Sequence, residues 1–189
     1  LNQIKASQSR PWEKSVCKQE SIVAGVLVAY FSRTGVTERL ATQLAANLGA
    51  VLEPVKPQAP YGGRSGYLKA IWHSLFRRAP AVNCERDPAD YSVVIIGSPI
   101  WAGRLSAPMR SYLRRFRGRI GQVAAFWVSG SGLDYSGVRS EIEQLSGQVL
   151  LATASFAEQE VRNDAAGGKL EAMAQAIRAR LPVAADLDR

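Results

Sequence analysis

The sequence predicts a three-layer α/β fold in which a doubly wound, five-stranded parallel sheet carries helices on both faces. Two observations point there. The apolar runs at 22–31, 93–96 and 123–128 are continuous rather than alternating, as expected of strands covered on both sides. Between them lie segments whose apolar residues recur every third or fourth position, the spacing of a helix with one buried face. The chain has 189 residues, which suits a single domain with a substantial core.

Taken in order, residues 1–21 are polar and aperiodic and read as an N-terminal extension, with Trp12 available to pin it to the body. The domain spans 22–182, and 183–189 form a polar C-terminal tail. The run from Ile22 to Phe31 is the first strand. Leu40, Leu44 and Leu48, with Ala41 and Ala45 beside them, then mark a helix closed by Gly49, a residue suited to a left-handed cap. A short strand follows at 51–55. Pro57, Pro60, Gly62, Gly63 and Gly66 signal a loop. Tyr67, Leu68, Ile71, Trp72, Leu75 and Phe76 then have helical spacing up to Pro80, which ends the helix. A strand is expected over 91–97, then a helix with Ser106 as N-cap and Pro108 in its first turn. Residues 123–128 make the next strand. Val138, Ile142 and Leu145 mark a helix that Gly147 stops, 149–156 the last strand, and Leu170, Met173, Ile177 and Leu181 a final helix before Pro182.

Composition narrows the chemistry. Apolar residues make up 47% and charged residues 21%, and no apolar run is long enough to cross a bilayer, so membrane insertion is not expected. The visible N-terminus shows no export signal, which makes the cytoplasm the expected compartment. Cys17 and Cys84 lack C-x-x-C spacing and read as incidental thiols in reducing surroundings. With one histidine, His73, neither a histidine-rich metal site nor a dispersed triad is expected. His73 reads as an exposed residue beside Trp72, with proton transfer as the alternative.

The unusual chemistry lies in the loops at the carboxyl ends of the strands, where doubly wound sheets bind ligands. Ser32-Arg33-Thr34-Gly35-Val36-Thr37 sets three hydroxyls and a glycine between a buried strand and a helix start. Unpaired backbone N–H groups, the helix dipole and the hydroxyls would together hold a dianionic phosphate without a lysine, and Gly35 permits the tight turn. The same residues also suit ordinary turn and cap duties. Neither G-x-x-x-x-G-K-[ST] nor G-x-G-x-x-G is present, and without the latter Glu53 reads as a surface residue rather than a ribose ligand.

This loop and the strand before it resemble the flavodoxin-like FMN-binding proteins, whose ribityl-phosphate loop reads T/S-x-T-G-x-T, and the resemblance extends through most of 22–181. It implies the flavodoxin strand order 2-1-3-4-5 and FMN as cofactor. It implies also that Pro99, Ile100, Trp101, Ala102 and Gly103 flank the isoalloxazine, with Trp101 lining or stacking on the ring and backbone groups of Ala102 and Gly103 near its redox-active edge. In the third loop, Ser129, Gly130, Ser131 and Gly132 would meet the pyrimidine edge and Tyr135 the other ring face. Packing against the protein itself is the alternative for Trp101, as an ordinary surface position is for Tyr135. No metal and no catalytic acid or base is expected, since redox chemistry belongs to the flavin.

Bacterial flavodoxins include electron carriers and NAD(P)H- or quinone-linked reductases. Carriers of this type are strongly acidic, whereas this chain has a net charge of +8. Arg104, Arg110, Arg114, Arg115, Arg117 and Arg119 follow the tryptophan loop with no acid between them. They read either as a solvated helical face or as a basic rim that attracts phosphates. The expected function is therefore transfer of a hydride or electrons from NAD(P)H to a quinone or other small acceptor. The alternatives are a carrier serving a redox protein, or a binding protein that keeps the fold without the chemistry. Nucleic acid is not an expected partner, for no recognisable module accompanies the arginines. A homodimer is left open, as is the role of 57–83.

Overall fold

The computed structural model describes residues 25–58 and 80–181. The expected helix over 67–76, together with Trp12, Cys17 and His73, lies outside them. The described strands and α-helices are β1 (Val26–Tyr30), α1 (Val36–Leu48), β2 (Val51–Pro54), β3 (Lys56–Pro57), β4 (Val82–Asn83), β5 (Val93–Trp101), β6 (Arg104–Leu105), α2 (Ala107–Arg115), β7 (Gln122–Ser129), α3 (Ser136–Ser146), β8 (Leu150–Ala157), α4 (Glu158–Arg162) and α5 (Gly167–Arg178), with a 3₁₀ turn at Pro88–Asp90.

Five parallel strands form the sheet in the order β2-β1-β5-β7-β8, the flavodoxin order. Its strands do not alternate because each face has its own helices. On one face Val26, Val28, Val93, Ile95, Ala124 and Phe126 pack under Leu40 and Leu44 of α1 and Leu170 and Met173 of α5. On the other, Leu27, Ala29, Val94, Ile96, Ala125 and Trp127 meet Met109 and Leu113 of α2 and Val138 and Ile142 of α3. Successive residues point to opposite sides, so both sets must be apolar. Gly49 and Gly147 end their helices in left-handed conformation, at φ 62° and 77°.

Two elements differ from the sequence expectation. The third parallel strand runs past Gly97 to Trp101 and folds back on β6 as an antiparallel hairpin, pairing Ile100 with Leu105 and Trp101 with Arg104. A residue pair with positive φ, Ala102 at 49° and Gly103 at 70°, makes the turn; turns of this hand match strand twist. Beyond β2 the chain adds a two-stranded ribbon, β3 with β4, whose two-residue strands are too short to show a period.

Glu53 is also not a surface residue. It is buried at 2% exposure, and its carboxylate accepts the backbone N–H groups of Glu85 (2.8 Å) and Arg86 (3.2 Å). It thus satisfies the donors of the chain descending from β4. Ser106 stands at the start of α2 but makes no side-chain cap bond. Its hydroxyl lies 2.9 Å from that of Ser98, also buried.

At the outer edge of β8, side chains from α5 and from just past its end reach two carbonyls of the strand. Lys169 donates to the Ser155 carbonyl at 3.4 Å and Arg180 to that of Leu151.

Gly97 is a position where only glycine fits. A Cβ there would lie 2.5 Å from Phe126 Cζ and 3.0 Å from Tyr30 Cβ. Gly97→Ala is expected to lower the unfolding free energy by about 1–3 kcal/mol, as overpacked cores do. Urea denaturation checks this, and Phe126→Leu in the same chain should recover part of the loss.

Candidate functional site: a cleft at the switch in strand order

The chain leaves β1 toward β2 on one side and returns to β5 on the other, so the loops after β1 and β5 diverge and leave a crevice. A cleft of about 270 Å³ occupies it, lined from the first loop by Arg33, Thr34, Val36 and Thr37. Pro99, Ile100 and Trp101 line it from the second, Val128, Ser129 and Gly130 from the third, and Glu158 from the start of α4. Three loops far apart in sequence thus converge on one space.

The first loop opens backbone donors and hydroxyls onto the cleft at a helix start. Gly35, at φ 86°, is the N-cap residue of α1, so the amides that follow begin a helix and lack intrahelical acceptors. Ser32 Oγ accepts the Gly35 N–H at 3.1 Å, which closes the turn. The Thr34 side chain is exposed at the cleft, and Thr37, though 2% exposed, also lines it. Behind the loop, the buried Tyr30 donates its hydroxyl to Glu38 Oε1 at 3.2 Å, tying the end of β1 to the first turn of α1. Desolvation, then the Glu38 charge and hydrogen bond, push the Tyr30 phenol up to about 12.

The second wall is the Trp101 hairpin. Trp101 is 8% exposed and meets Phe31 edge-on, with ring centroids 5.5 Å apart. It therefore both packs into the core and faces the cleft. Ser98 Oγ donates to the Pro99 carbonyl at 2.9 Å, and the Ser106 N–H reaches Ser98 Oγ at 3.3 Å. These bonds brace the base of the hairpin. Its turn residues, Ala102 and Gly103, do not line the cleft.

The third loop divides similarly. Ser129 and Gly130 face the cleft, but the Gly132 amide is directed to Ser129 Oγ at 2.9 Å. Gly132, at φ 69°, is needed for space as well, since a Cβ there would approach Ala157 N to 2.9 Å. Tyr135 lies half-buried against the hairpin turn, its Cε1 3.8 Å from the place a Cβ on Gly103 would take, and its hydroxyl is 3.3 Å from Ser131 Oγ. Ser131, Gly132 and Tyr135 are not among the residues that line the cleft. Glu158 escaped sequence reading: the last strand ends in no glycine or hydroxyl signal to mark it as part of the site.

The arginine series does not rim this cleft. Arg104 sits beside it in the hairpin, but α2 runs away from the strands' carboxyl ends, placing Arg114 to Arg119 near the start of β7, at the opposite end of the sheet. Nor is Arg110 solvated; it is fully buried, 3.7 Å from Glu141. Cys84 is remote from the cleft too, near Glu53, Asp87 and Arg115, and burial pushes its thiol up. Among the described residues no cluster of His, Cys, Asp or Glu could hold a metal, and no helix is long and apolar enough to cross a membrane.

The flavodoxin family profile matches residues 25–165. The chain belongs to the flavodoxin family. Among solved structures, a flavoprotein from Lactobacillus acidophilus NCFM in complex with FMN is 23% identical, at a TM-score of 0.61, covering 74% of this chain and 97% of that one. A Bacteroides eggerthii DSM 20697 protein, provisionally described as a flavoprotein, is 24% identical at a TM-score of 0.59, covering 80% and 98%. The apo form of the L. acidophilus flavoprotein, at 22% identity and a TM-score of 0.56, covers 74% and 97%. No curated protein matches the chain. As in its family, the cofactor of this flavodoxin is FMN, and the hydroxyl-bearing helix start fits its phosphate.

Two outcomes follow from this geometry. Replacing strained Ala102 by glycine should raise the unfolding free energy by about 1 kcal/mol, read by chemical denaturation. Because Tyr30 holds its proton more tightly when folded than the unfolded phenol near 10, stability should be full below pH 10 and fall as pH rises toward about 12. Alkaline melts of Tyr30→Phe should show a shallower decline across that window.

Proposed function

We propose that this flavodoxin-family chain is an FMN-dependent oxidoreductase that takes a hydride or electrons from NAD(P)H and passes them to a quinone or other small acceptor. The observation that carries the reading is the open cleft in which the phosphate-type loop faces Trp101, with Arg33 on its wall. The cation and the neighbouring Arg104 offer charge for an anionic nucleotide at the mouth. When bound, FMN supplies the redox chemistry.

The chain's own residues bind and orient. Thr34, Thr37 and the first amides of α1 would hold the phosphate. The Trp101 indole and Ile100 would give the ring a flat apolar wall and exclude water there. Gly130 and Ser129 would face the opposite side of the cleft. The arginines at the far end of the sheet lend this reading no support, so it rests on the cleft alone.

A second reading, an electron carrier for a redox protein, is favoured by Leu133. This side chain is 62% exposed on the third loop, where a protein partner could cover it. Anaerobic addition of NADH or NADPH to the FMN-loaded protein separates the two. Bleaching of the visible flavin band by either nucleotide, with turnover on a soluble quinone, is the expected result; reduction only by a redox protein would establish the carrier.

The site itself is tested by two substitutions. Thr34→Val should weaken FMN by about tenfold, the loss of a hydrogen bond to a charged group, while leaving riboflavin binding nearly unchanged. Trp101→Leu should weaken both flavins by a similar factor. Fluorescence titration reads each.

A further inference from the structure

The end of the sheet opposite the cleft has a chemistry that flavin binding does not use. Arg114, Arg115, Arg117 and Arg119 fall within six residues at the close of α2, and all four are exposed. The Arg115 and Arg119 guanidiniums lie over the Phe116 ring, at 5.1 and 5.9 Å from its centroid. Arg115 also donates to the Val82 carbonyl and Arg119 pairs with Asp87, so these two are fixed in place. Arg114 and Arg117 extend the patch.

Beside it stands Val149, at 78% exposure one of two large hydrophobics exposed among the described residues. Its loop is tied to the arginine segment, for Gln148 Nε2 donates to the Ile120 carbonyl at 3.4 Å. The chain also enters the fold at this end, since Val26 pairs with Val93. Clustered cations with an aliphatic side chain standing clear of them are the elements of peripheral attachment to an anionic lipid surface.

We infer that this end of the molecule docks on anionic phospholipid headgroups, with Arg114 and Arg117 reaching the phosphates and Val149 entering the headgroup boundary. Charge complementarity selects an acidic surface, and the exposed Val149 selects a lipid one over nucleic acid or an acidic protein. Attached this way, the chain turns its flavin cleft away from the membrane, toward soluble donors and acceptors. The inference stands whether or not the chain proves to be a reductase.

Co-sedimentation of the FMN-loaded full chain with vesicles tests it. Binding is expected to phosphatidylcholine vesicles containing one-third phosphatidylglycerol, with none to phosphatidylcholine alone, and it should fall steeply as sodium chloride is raised. Each arginine near such a surface is worth about fivefold in partitioning, so Arg114→Gln with Arg117→Gln should reduce binding by about 25-fold. Val149→Ser should weaken it further without changing its salt dependence. Retained flavin absorbance and circular dichroism verify the fold, and the salt series on the unaltered chain decides the matter if a variant fails to fold. Equal binding to neutral vesicles, no binding to anionic ones, insensitivity to the paired substitution, or tighter binding to a short DNA duplex or a poly-glutamate peptide than to anionic vesicles at equal charge concentration would each overturn the inference.

Discussion

The cleft depends on β1 and β5 lying side by side in one register. Val26 faces Val93 and Tyr30 faces Gly97, so the loop after β1 and the extension of β5 emerge together. Parallel pairing allows this only because the chain has crossed to β2 and returned over the sheet. The close fit of Gly97 under Phe126 lets the strands approach where the two loops begin to separate. A small change in that register would move the helix start relative to the Trp101 wall while leaving each loop intact.

How much of this was legible in the sequence follows from which interactions are local. The parallel strands showed themselves because burial on two faces demands unbroken apolar runs, and α1 because Leu40, Leu44 and Gly49 report one helix in one stretch of chain. The hydroxyl-bearing turn before α1 was legible for the same reason. The hairpin at Trp101 was not: its signal is a positive φ at Ala102, which an alanine does not announce. Glu53 and Arg110 misled because their type predicts solvent, whereas the amides of Glu85 and Arg86 and the carboxylate of Glu141 that receive them come from distant parts of the chain. The arginines after α2 were legible as a cluster but not as to place, since a helix nine residues long carries its two ends to opposite ends of the sheet.

The site is layered. Residues that face the cleft, such as Thr34, Trp101 and Gly130, are held by others that do not: Ser98 under the hairpin, Gly132 against Ala157, Tyr135 behind Gly103. A wall supported in this way keeps its shape before a ligand arrives, which lowers the ordering cost of binding. The family resemblance in the sequence names residues of both groups: Thr34, Trp101 and Gly130 in the first, Gly132 and Tyr135 in the second. Which of them faces the cleft and which does not is set by packing within the folded chain.

The contacts at β8 have a consequence for the molecule in company. A parallel sheet ends in a strand whose outer N–H and C=O groups would accept another strand, a route to unwanted polymerisation. Here Lys169 and Arg180 lie across that border and occupy the carbonyls of Ser155 and Leu151. A second copy approaching edge to edge would meet the Lys169–Glu160 ion pair and the Arg180 guanidinium. At these two points the carbonyls of the border strand are already taken by the chain's own side chains.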